Sequence, residues 1–400
     1  MEKQKNVPQT GSPALRFPEF EGKWEGKKLG DIGEVKMCRR IFNEETSPVG
    51  EIPFFKIGSF GKTADAYISE QLYLEYRKKF PFPKRGDILI SAAGTIGRTV
   101  VYDGEDAYYQ DSNIVWIDND NIKVTNEFLY YILQIVKYNT EGGTIQRLYN
   151  NILKTTKFSC PTLPEQTKIA NFLTAIDTKI QQLTQKKTLL EEYKKGVMQQ
   201  LFSQQIRFKD ENGKDYPDWE EKSGGEMFDS VTNKNHNSDL PILAITQEHG
   251  AIPRDLIDYQ ISVTDKSVES YKVVEIGDFI ISLRSFQGGI EYSSYKGICS
   301  PAYIILRPKD KESISDFFFK CFFKTEYYIK QLNKKLEGIR DGKMVSYKYF
   351  SEIPLPFPCI EEQTKIANFL SAIDTKIENV TMQIEQTQAY KKGLLQQMFI

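Results

Sequence analysis

The chain has 400 residues, a formal net charge of −1 and five cysteines. Its length predicts two to three domains with ample cores, and no apolar run reaches the length of a membrane span. The start, MEKQKNVPQTGSP, shows no secretory signal, and the cysteines form no CxxC pair. We therefore expect free thiols, a cytoplasmic location and no membrane contact.

The chain divides, in order, into a flexible tail and two similar halves that each end in a helix. We predict the tail at residues 1–14, the first domain at 15–160 and a helix at 164–203. A second domain follows at 206–358 and a second helix at 361–400. In both domains, short β-branched and aromatic runs between turn residues indicate strands, while EFLYYILQIV indicates a buried helix.

A basic run, YRKKFPFPKR at residues 76–85, holds five cations and no anion. A solvated loop is the favoured interpretation of this segment alone, and a local basic face is the alternative. The balanced net charge argues weakly against a simple nucleic-acid binder, because such proteins usually carry a basic excess.

A sixteen-residue block occurs twice, as EQTKIANFLTAIDTKI from Glu165 and EQTKIANFLSAIDTKI from Glu362. Neither copy contains a helix breaker, and both predict a long uninterrupted helix. Apolar residues recur at alternating steps of four and three, which is the seam of a coiled coil. The first seam comprises Ile169, Leu173, Ile176, Ile180, Leu183, Lys187, Leu190, Lys194, Val197 and Leu201. The second comprises Ile366, Leu370, Ile373, Ile377, Val380, Ile384, Thr387, Lys391, Leu394 and Met398.

Two such seams in one chain favour packing of the helices on each other. Antiparallel pairing is preferred because a globular domain precedes each helix. A homo-oligomeric coiled coil between chains remains the alternative. The predicted fold class is α+β: two similar mixed α/β domains separated by a long antiparallel two-helix coiled coil with pseudo-twofold symmetry.

The two domains share landmarks but differ in their loops. GDILIS at residues 86–91 matches GDFIIS at 277–282, and an RF…W pattern opens each domain. The following loops, SAAGTIGR and SLRSFQGG, have similar positions and different side chains. Nearly identical helices with divergent loops suggest one scaffold that presents two specificities.

Catalytic motifs are not supported by the sequence. GSFGKT lacks the first glycine of a phosphate-binding loop, and there is no GxGxxG and no NPP-aromatic tetrapeptide. His236 and His249 have no cysteine partner nearby, so no metal site is expected. Asp87 and Asp278 precede strands and are interpreted as turn formers. We therefore expect a binding protein with no catalytic residue.

LPEQTKIANFL and IEEQTKIANFL, repeated half a chain apart, resemble the DNA-specificity subunit of type I restriction–modification enzymes. The resemblance covers the chain except roughly the first fourteen residues. It implies two target-recognition domains that read a bipartite, asymmetric site in double-stranded DNA, and paired helices that set the spacing and dock two methylation subunits. Restriction subunits would join them. S-adenosylmethionine, ATP and Mg²⁺ would bind those partners, with no cofactor in this chain.

Polar side chains in the matching loops are the candidates for DNA contact, because such groups bind base edges and phosphates. The candidates are Lys56, Ser59, Lys62, Thr95, Arg98 and Arg147 in the first domain and Thr246, Gln247, Arg284, Gln287, Arg340 and Lys343 in the second. Outward helix residues are candidates for contact with the methylation subunits: Asn171, Lys179, Asn368 and Lys376. Each of these residues could also be an ordinary surface group. Two other functions remain open, namely a standalone nuclease or methyltransferase and a structural coiled-coil protein without sequence-specific DNA binding.

Overall fold

A computed structural model describes residues 11–138, 147–237, 239–257, 268–334 and 345–399. The chain separates into two compact units, Met1–Thr184 with Met382–Ile400 and Gln185–Thr381. Each unit therefore holds one mixed α/β body, the beginning of one long helix and the end of the other.

In the described residues of the first unit, small sheets and short helices precede the first long helix. The strands are β1 (Glu25–Lys28), β2 (Gly33–Lys36), β3 (Ile52–Phe55), β4 (Tyr67–Ile68), β5 (Ile88–Ser91), β6 (Thr99–Val101), β7 (Tyr108–Tyr109), β8 (Ile114–Asn119) and β9 (Lys157–Cys160). The helices are α1 (Glu70–Lys79), α2 (Asn126–Ile135), α3 (Asn150–Thr155) and the long α4 (Leu163–Phe202). The strand orders are β2-β8-β5-β6, β4-β3-β7 and β1-β9.

The second unit repeats much of this order. Its strands are β10 (Glu220–Ser223), β11 (Phe228–Val231), β12 (Leu243–Thr246), β13 (Gly250–Pro253), β14 (Lys272–Val274), β15 (Phe279–Ile281), β16 (Glu291–Tyr292), β17 (Gly297–Cys299), β18 (Ile304–Pro308) and β19 (Pro354–Phe357). Its helices are α5 (Gly224–Met227), α6 (Ser285–Gly288), α7 (Asp316–Phe322), α8 (Glu326–Lys334), α9 (Tyr347–Ser351) and the long α10 (Ile360–Met398). The four-stranded sheet β11-β18-β15-β16 and the pair β10-β19 match those of the first unit.

The matching sheets have the same register. Leu89 lies opposite Trp116 in the first unit, and Ile280 lies opposite Ile305 in the second. All of these side chains are buried, as expected for apolar strands covered on both faces. The two bodies are therefore two versions of one domain, as the GDILIS and GDFIIS landmarks predict.

The long helices are paired within each unit. In the first unit, Ile169 and Leu173 share a hydrophobic core with Leu394 and Met398. In the second, Val197 and Leu201 share one with Ile366 and Leu370. The beginning of one helix thus lies beside the end of the other, which is antiparallel. Every position of both predicted seams is buried or half-buried.

These findings confirm the predicted fold class of mixed domains and an antiparallel helix pair. Across the described ranges, no helix combines the length and apolarity that a membrane crossing needs.

Candidate nucleic-acid interface

The repeated Glu-Gln pair at the start of each long helix forms a buried joint with the domain. Glu165 accepts hydrogen bonds from Arg16 Nε and Nη2, both at 2.7 Å, and from Trp24 Nε1 at 3.3 Å. A fork of two N–H groups on one carboxylate fixes both distance and orientation. The joint also raises the pKa of Arg16, because its guanidinium donates to the Glu165 carboxylate.

The second unit builds the same joint from matching residues. Glu362 accepts hydrogen bonds from Arg207 Nε at 3.1 Å, Arg207 Nη2 at 2.8 Å and Trp219 Nε1 at 2.9 Å. Both glutamates are almost completely buried. The RF…W pattern at the start of each domain thus supplies the partners of the repeated glutamate.

The neighbouring glutamine completes the joint by binding a helix start. Gln166 Oε1 accepts from the backbone N–H of Thr125 at 3.0 Å, and Gln363 Oε1 accepts from that of Ser315 at 2.9 Å. Thr125 and Ser315 are the N-caps of α2 and α7. The Glu-Gln pair is therefore the attachment of domain to helix, a role that the sequence interpretation missed. The recurrence of RF…W with EQ at similar offsets was the available signal.

The candidate loops of the first unit meet at one edge of its sheets. Arg98 Nη2 donates to the Ile57 carbonyl oxygen at 3.2 Å, and its guanidinium lies over the Phe60 ring at 5.6 Å. The Arg98 Nε is buried with no hydrogen-bond partner. Gln110 Oε1 accepts from the Ile57 N–H at 2.9 Å, so Gln110 supports this loop, although the sequence interpretation did not single it out. The edge therefore combines residues 56–62 with residues 91–98.

The other candidates of this unit lie on the same two loops or beside them. Lys56 forms an ion pair of 3.4 Å with Asp65, while Lys62 and Thr95 are exposed. Ser59 is buried, and its hydroxyl accepts from the Lys56 N–H at 3.2 Å inside the turn. Arg147 is exposed and pairs in a β-bridge with Ala93 of the second loop. All six first-unit candidates therefore lie on these two touching loops or beside them.

In the second unit, four candidates lie on two touching loops. Gln247 Nε2 donates to the Arg284 carbonyl oxygen at 3.4 Å, and the Gln247 side chain lies directly against Gly288. Gln287 is exposed on the same loop as Arg284. Thr246 Oγ1 donates to the Gly250 carbonyl oxygen at 3.2 Å and is half-buried. Arg340 and Lys343 lie outside the described residues.

The helix candidates face solvent. The exposed residues are Asn171 and Lys179 in the first unit and Asn368 and Lys376 in the second. They occupy identical positions in the repeated block, outside the buried seam. Their exposure leaves these side chains accessible from solvent.

The remaining singled-out groups have structural roles. Asp87 and Asp278 are buried and accept backbone N–H bonds at 2.8 Å from Lys84 and Glu275, as expected of turn formers. In the basic run, acidic neighbours balance three cations, in the pairs Arg77–Asp106, Lys79–Glu75 and Lys84–Asp118. Over the described part of the chain, no group of three or more His, Cys, Asp or Glu could hold a metal ion.

Comparisons with known proteins assign the family. A family model described as type I restriction modification DNA specificity domain matches residues 21–192 and again 217–387. A putative type I restriction enzyme specificity subunit of Haemophilus influenzae is 55% identical over 159 residues, which are 40% of this chain and 41% of that relative. The putative type I restriction enzyme MjaX specificity subunit of Methanocaldococcus jannaschii is 27% identical over 405 residues, covering 93% of this chain and 92% of the relative.

Solved structures show the same fold. The S subunit of a type I restriction–modification system from M. genitalium matches with a TM-score of 0.59 and 18% identity, covering 98% of this chain and 99% of that one. A second chain, from a study of complex assembly and conformational transition of the type I system, gives 0.53 and 17%, covering 94% and 96%.

The fold and the site thus define the class of protein, which is a two-domain DNA-specificity protein. The chain belongs to the type I restriction–modification DNA specificity family. This confirms the family expected from the sequence, and with it the interpretation as a specificity subunit and not a standalone enzyme.

Proposed function

We propose that this chain is the cytoplasmic specificity subunit of a type I restriction–modification complex, and that each unit reads one half of a bipartite, asymmetric site in double-stranded DNA. The observation that carries the proposal is the contrast between joints and loops. Arg16–Glu165 and Arg207–Glu362 are the same contact made twice, whereas the loops of residues 91–98 and 282–289 differ in most of their side chains. Two loop sets on one scaffold suit two different half-sites.

The loop chemistry supports recognition of base edges and phosphates. Arginine and glutamine make bidentate contacts with guanine and adenine in the major groove. Lys62, Arg147 and Arg284 are exposed cations suited to phosphates, which supply affinity and position but no sequence information. Because the net charge of the chain is −1, attraction to phosphates would depend on local cations such as these and not on an overall basic excess.

The partners follow from the repeated helix faces. Two methylation subunits would dock on the exposed identical positions, Asn171 and Lys179 on one helix and Asn368 and Lys376 on the other. The paired helices would set the number of unread base pairs between the half-sites. Restriction subunits would join this assembly. S-adenosylmethionine, ATP and Mg²⁺ would bind the methylation and restriction subunits, with no cofactor in this chain.

The alternative of a structural coiled-coil oligomer is disfavoured by the buried seam. Leu173 and Leu370 are fully buried within their own units, so these stripes are not available to another chain. The family assignment also favours DNA specificity.

The test is a domain exchange read out by methylome sequencing. A host expressing the chain with its methylation partner should show a two-part motif. Exchange of residues 206–358 for the equivalent domain of another family member should alter one half of the motif only. A change in both halves, or in neither, would contradict the modular assignment.

A further inference from the structure

The loop of residues 282–289 in the second unit, here called the second readout loop, is tied down by side chains from outside it. Asn333 Nδ2 on α8 donates to the Phe286 carbonyl oxygen at 2.8 Å. Lys324 Nζ, between α7 and α8, donates to the Gly288 carbonyl oxygen at 3.0 Å. The loop that presents Arg284 and Gln287 is therefore fixed at two backbone carbonyls.

Lys324 is itself held by a buried acid. Its Nζ lies 2.6 Å from Glu291 Oε1, and the Glu291 side chain is 2% exposed. The second carboxylate oxygen, Oε2, is buried without a hydrogen-bond partner. Burial raises the pKa of Glu291, and the Lys324 charge opposes this. The lysine is thus locked between one carboxylate and one loop carbonyl.

The backbone of the loop also fits closely against the same region. Gly289 has a φ of +83°, and a Cβ placed there would lie 2.0 Å from the Phe323 carbonyl oxygen. Only glycine satisfies both the conformation and the space. Phe323 directly precedes Lys324, so the polar tie and the tight backbone contact act on the same end of the loop.

Stability alone does not account for this ion pair. The Glu291 carboxylate is buried while Lys324 is partly exposed, and the cost of taking the carboxylate out of water offsets much of its attraction to the lysine. At the position that matches Glu291, the first unit has an apolar residue: Val100 lies opposite Leu89 on its strands, where Glu291 lies opposite Ile280 in the second. What the charged pair adds is a fixed donor beneath the second readout loop.

We infer that Lys324, fixed by Glu291 and assisted by Asn333, is a positioning residue for base discrimination by Arg284 and Gln287. This inference rests on the proposed function. A side chain that makes a bidentate base contact must be held within about half an ångström of its productive geometry, which requires its supporting groups to be rigid. Loosening the support lowers discrimination without removing any group that touches DNA.

The central variant is Glu291→Val with Lys324→Met, which replaces the pair by apolar side chains. The full chain is purified with its methylation subunit, and its binding to the target is compared with binding to single-base variants of each half-site. Discrimination should fall about tenfold in one half-site, within the range of one base contact, and remain at the wild-type level in the other. Glu291→Gln, which keeps an acceptor for Lys324, should retain wild-type discrimination.

A matched control is available in the same sheet. Arg307 donates to both oxygens of buried Asp278 at 2.7 Å, and the hydrogen bonds described for these two side chains do not reach the second readout loop. Asp278→Asn with Arg307→Met should keep wild-type discrimination in both half-sites. An equal loss in this control would show a general stability effect and overturn the inference.

Asn333→Ala removes the hydrogen bond to the Phe286 carbonyl oxygen from a half-buried helix position. This variant tests the inference if the double variant does not fold. It should weaken discrimination in the same half-site. Wild-type discrimination in Asn333→Ala, or in a folded double variant, would overturn the inference while leaving the proposed function intact. A wild-type complex that does not discriminate between sequences would instead overturn the proposed function.

Discussion

Lys391 forms an ion pair of 2.6 Å with Asp177, joining the end of the second long helix to the beginning of the first. In the second unit, Lys194 and Asp374 form the equivalent pair at 2.5 Å. The two lysines interrupt the apolar seams, and the two aspartates belong to the repeated block. These two seam lysines thus meet charged partners on the other helix, and polar seam residues of this kind can fix register at a cost in stability.

A charge exchange tests this register. Lys391→Asp should destabilise the first unit by about 1 kcal/mol, because it places two like charges together at a partly exposed site. Adding Asp177→Lys should restore much of the loss, as measured by urea denaturation in a double-mutant cycle. Asp374→Lys is the control, since it should not rescue Lys391→Asp. Absence of coupling between positions 177 and 391 would contradict the pairing.

The buried Glu–Arg joints should contribute similar amounts to the free energy of unfolding in both units. Glu165→Gln leaves the Arg16 fork with one acceptor oxygen and should cost about 2–4 kcal/mol. Glu362→Gln should cost a similar amount through Arg207. Hydrogen exchange should show faster exchange near residues 16–24 in the first variant and near 207–219 in the second. Wild-type stability in either variant would show that the joint does not hold domain to helix.

Arg98→Ala should weaken methylation by about tenfold or more, since loss of one base-contacting or loop-ordering arginine costs about 1–3 kcal/mol. The variant loses both the hydrogen bond to Ile57 and the packing on Phe60. Lys62→Ala is the comparison, because Lys62 is an exposed cation and should weaken binding evenly across sequences. Wild-type modification by Arg98→Ala at normal protein levels would remove Arg98 from the recognition set.

The stability of the first unit should depend on the charge of Asp87. Burial raises the pKa of Asp87, and the nearby Asp118 charge raises it further. A carboxyl group whose folded pKa is raised contributes stability below its unfolded pKa, about 3.9, and this contribution is lost as pH rises through the folded pKa. Asp87→Asn keeps an acceptor for the Lys84 N–H, so its stability relative to wild type should increase between pH 4 and pH 7.

Urea denaturation at several pH values measures this difference. Asp118→Asn removes the neighbouring charge and should reduce the pH dependence of the wild-type chain. The difference in the free energy of unfolding between Asp87→Asn and wild type should grow with pH. A difference that stays constant or reverses would contradict the raised pKa of Asp87.

The helix pair was predictable from the sequence because a heptad seam is a local pattern. The spacing of Ile169, Leu173 and the later seam positions is enough to predict that they are buried. The matching seam of α10 is the predicted packing partner. Antiparallel orientation followed from the domain order. The strands and buried helices of the domains also followed from periodicity and turn residues.

The roles of individual polar side chains were not predictable in this way. Glu165 looks like a solvated residue in the first turn of a helix, and its burial depends on Arg16, which lies 149 residues earlier. The guanidinium of Arg98 could have pointed to solvent, and only the approach of Ile57 and Phe60 determines where it lies. Such contacts depend on tertiary structure, which a loop sequence does not encode by spacing.

Lengthening the helices should change the gap between half-sites. Thr184 and Thr381 are equivalent positions of the two helices and end the described units. Four residues inserted after each would add about 6 Å to each helix, which corresponds to roughly two base pairs at about 3.4 Å each. As a control, substitution of exposed residues near positions 184 and 381, with no residue inserted, should leave the gap between half-sites unchanged. An unchanged gap in the insertion variant would contradict the spacing role.

The most direct test of the account is methylome sequencing of a host that expresses the wild-type chain with its methylation partner, against the same host without the chain. The account predicts methylation at one motif, with two specified parts separated by a constant number of unspecified base pairs, and only when the chain is present. A single contiguous motif, or methylation that does not depend on the chain, would contradict it.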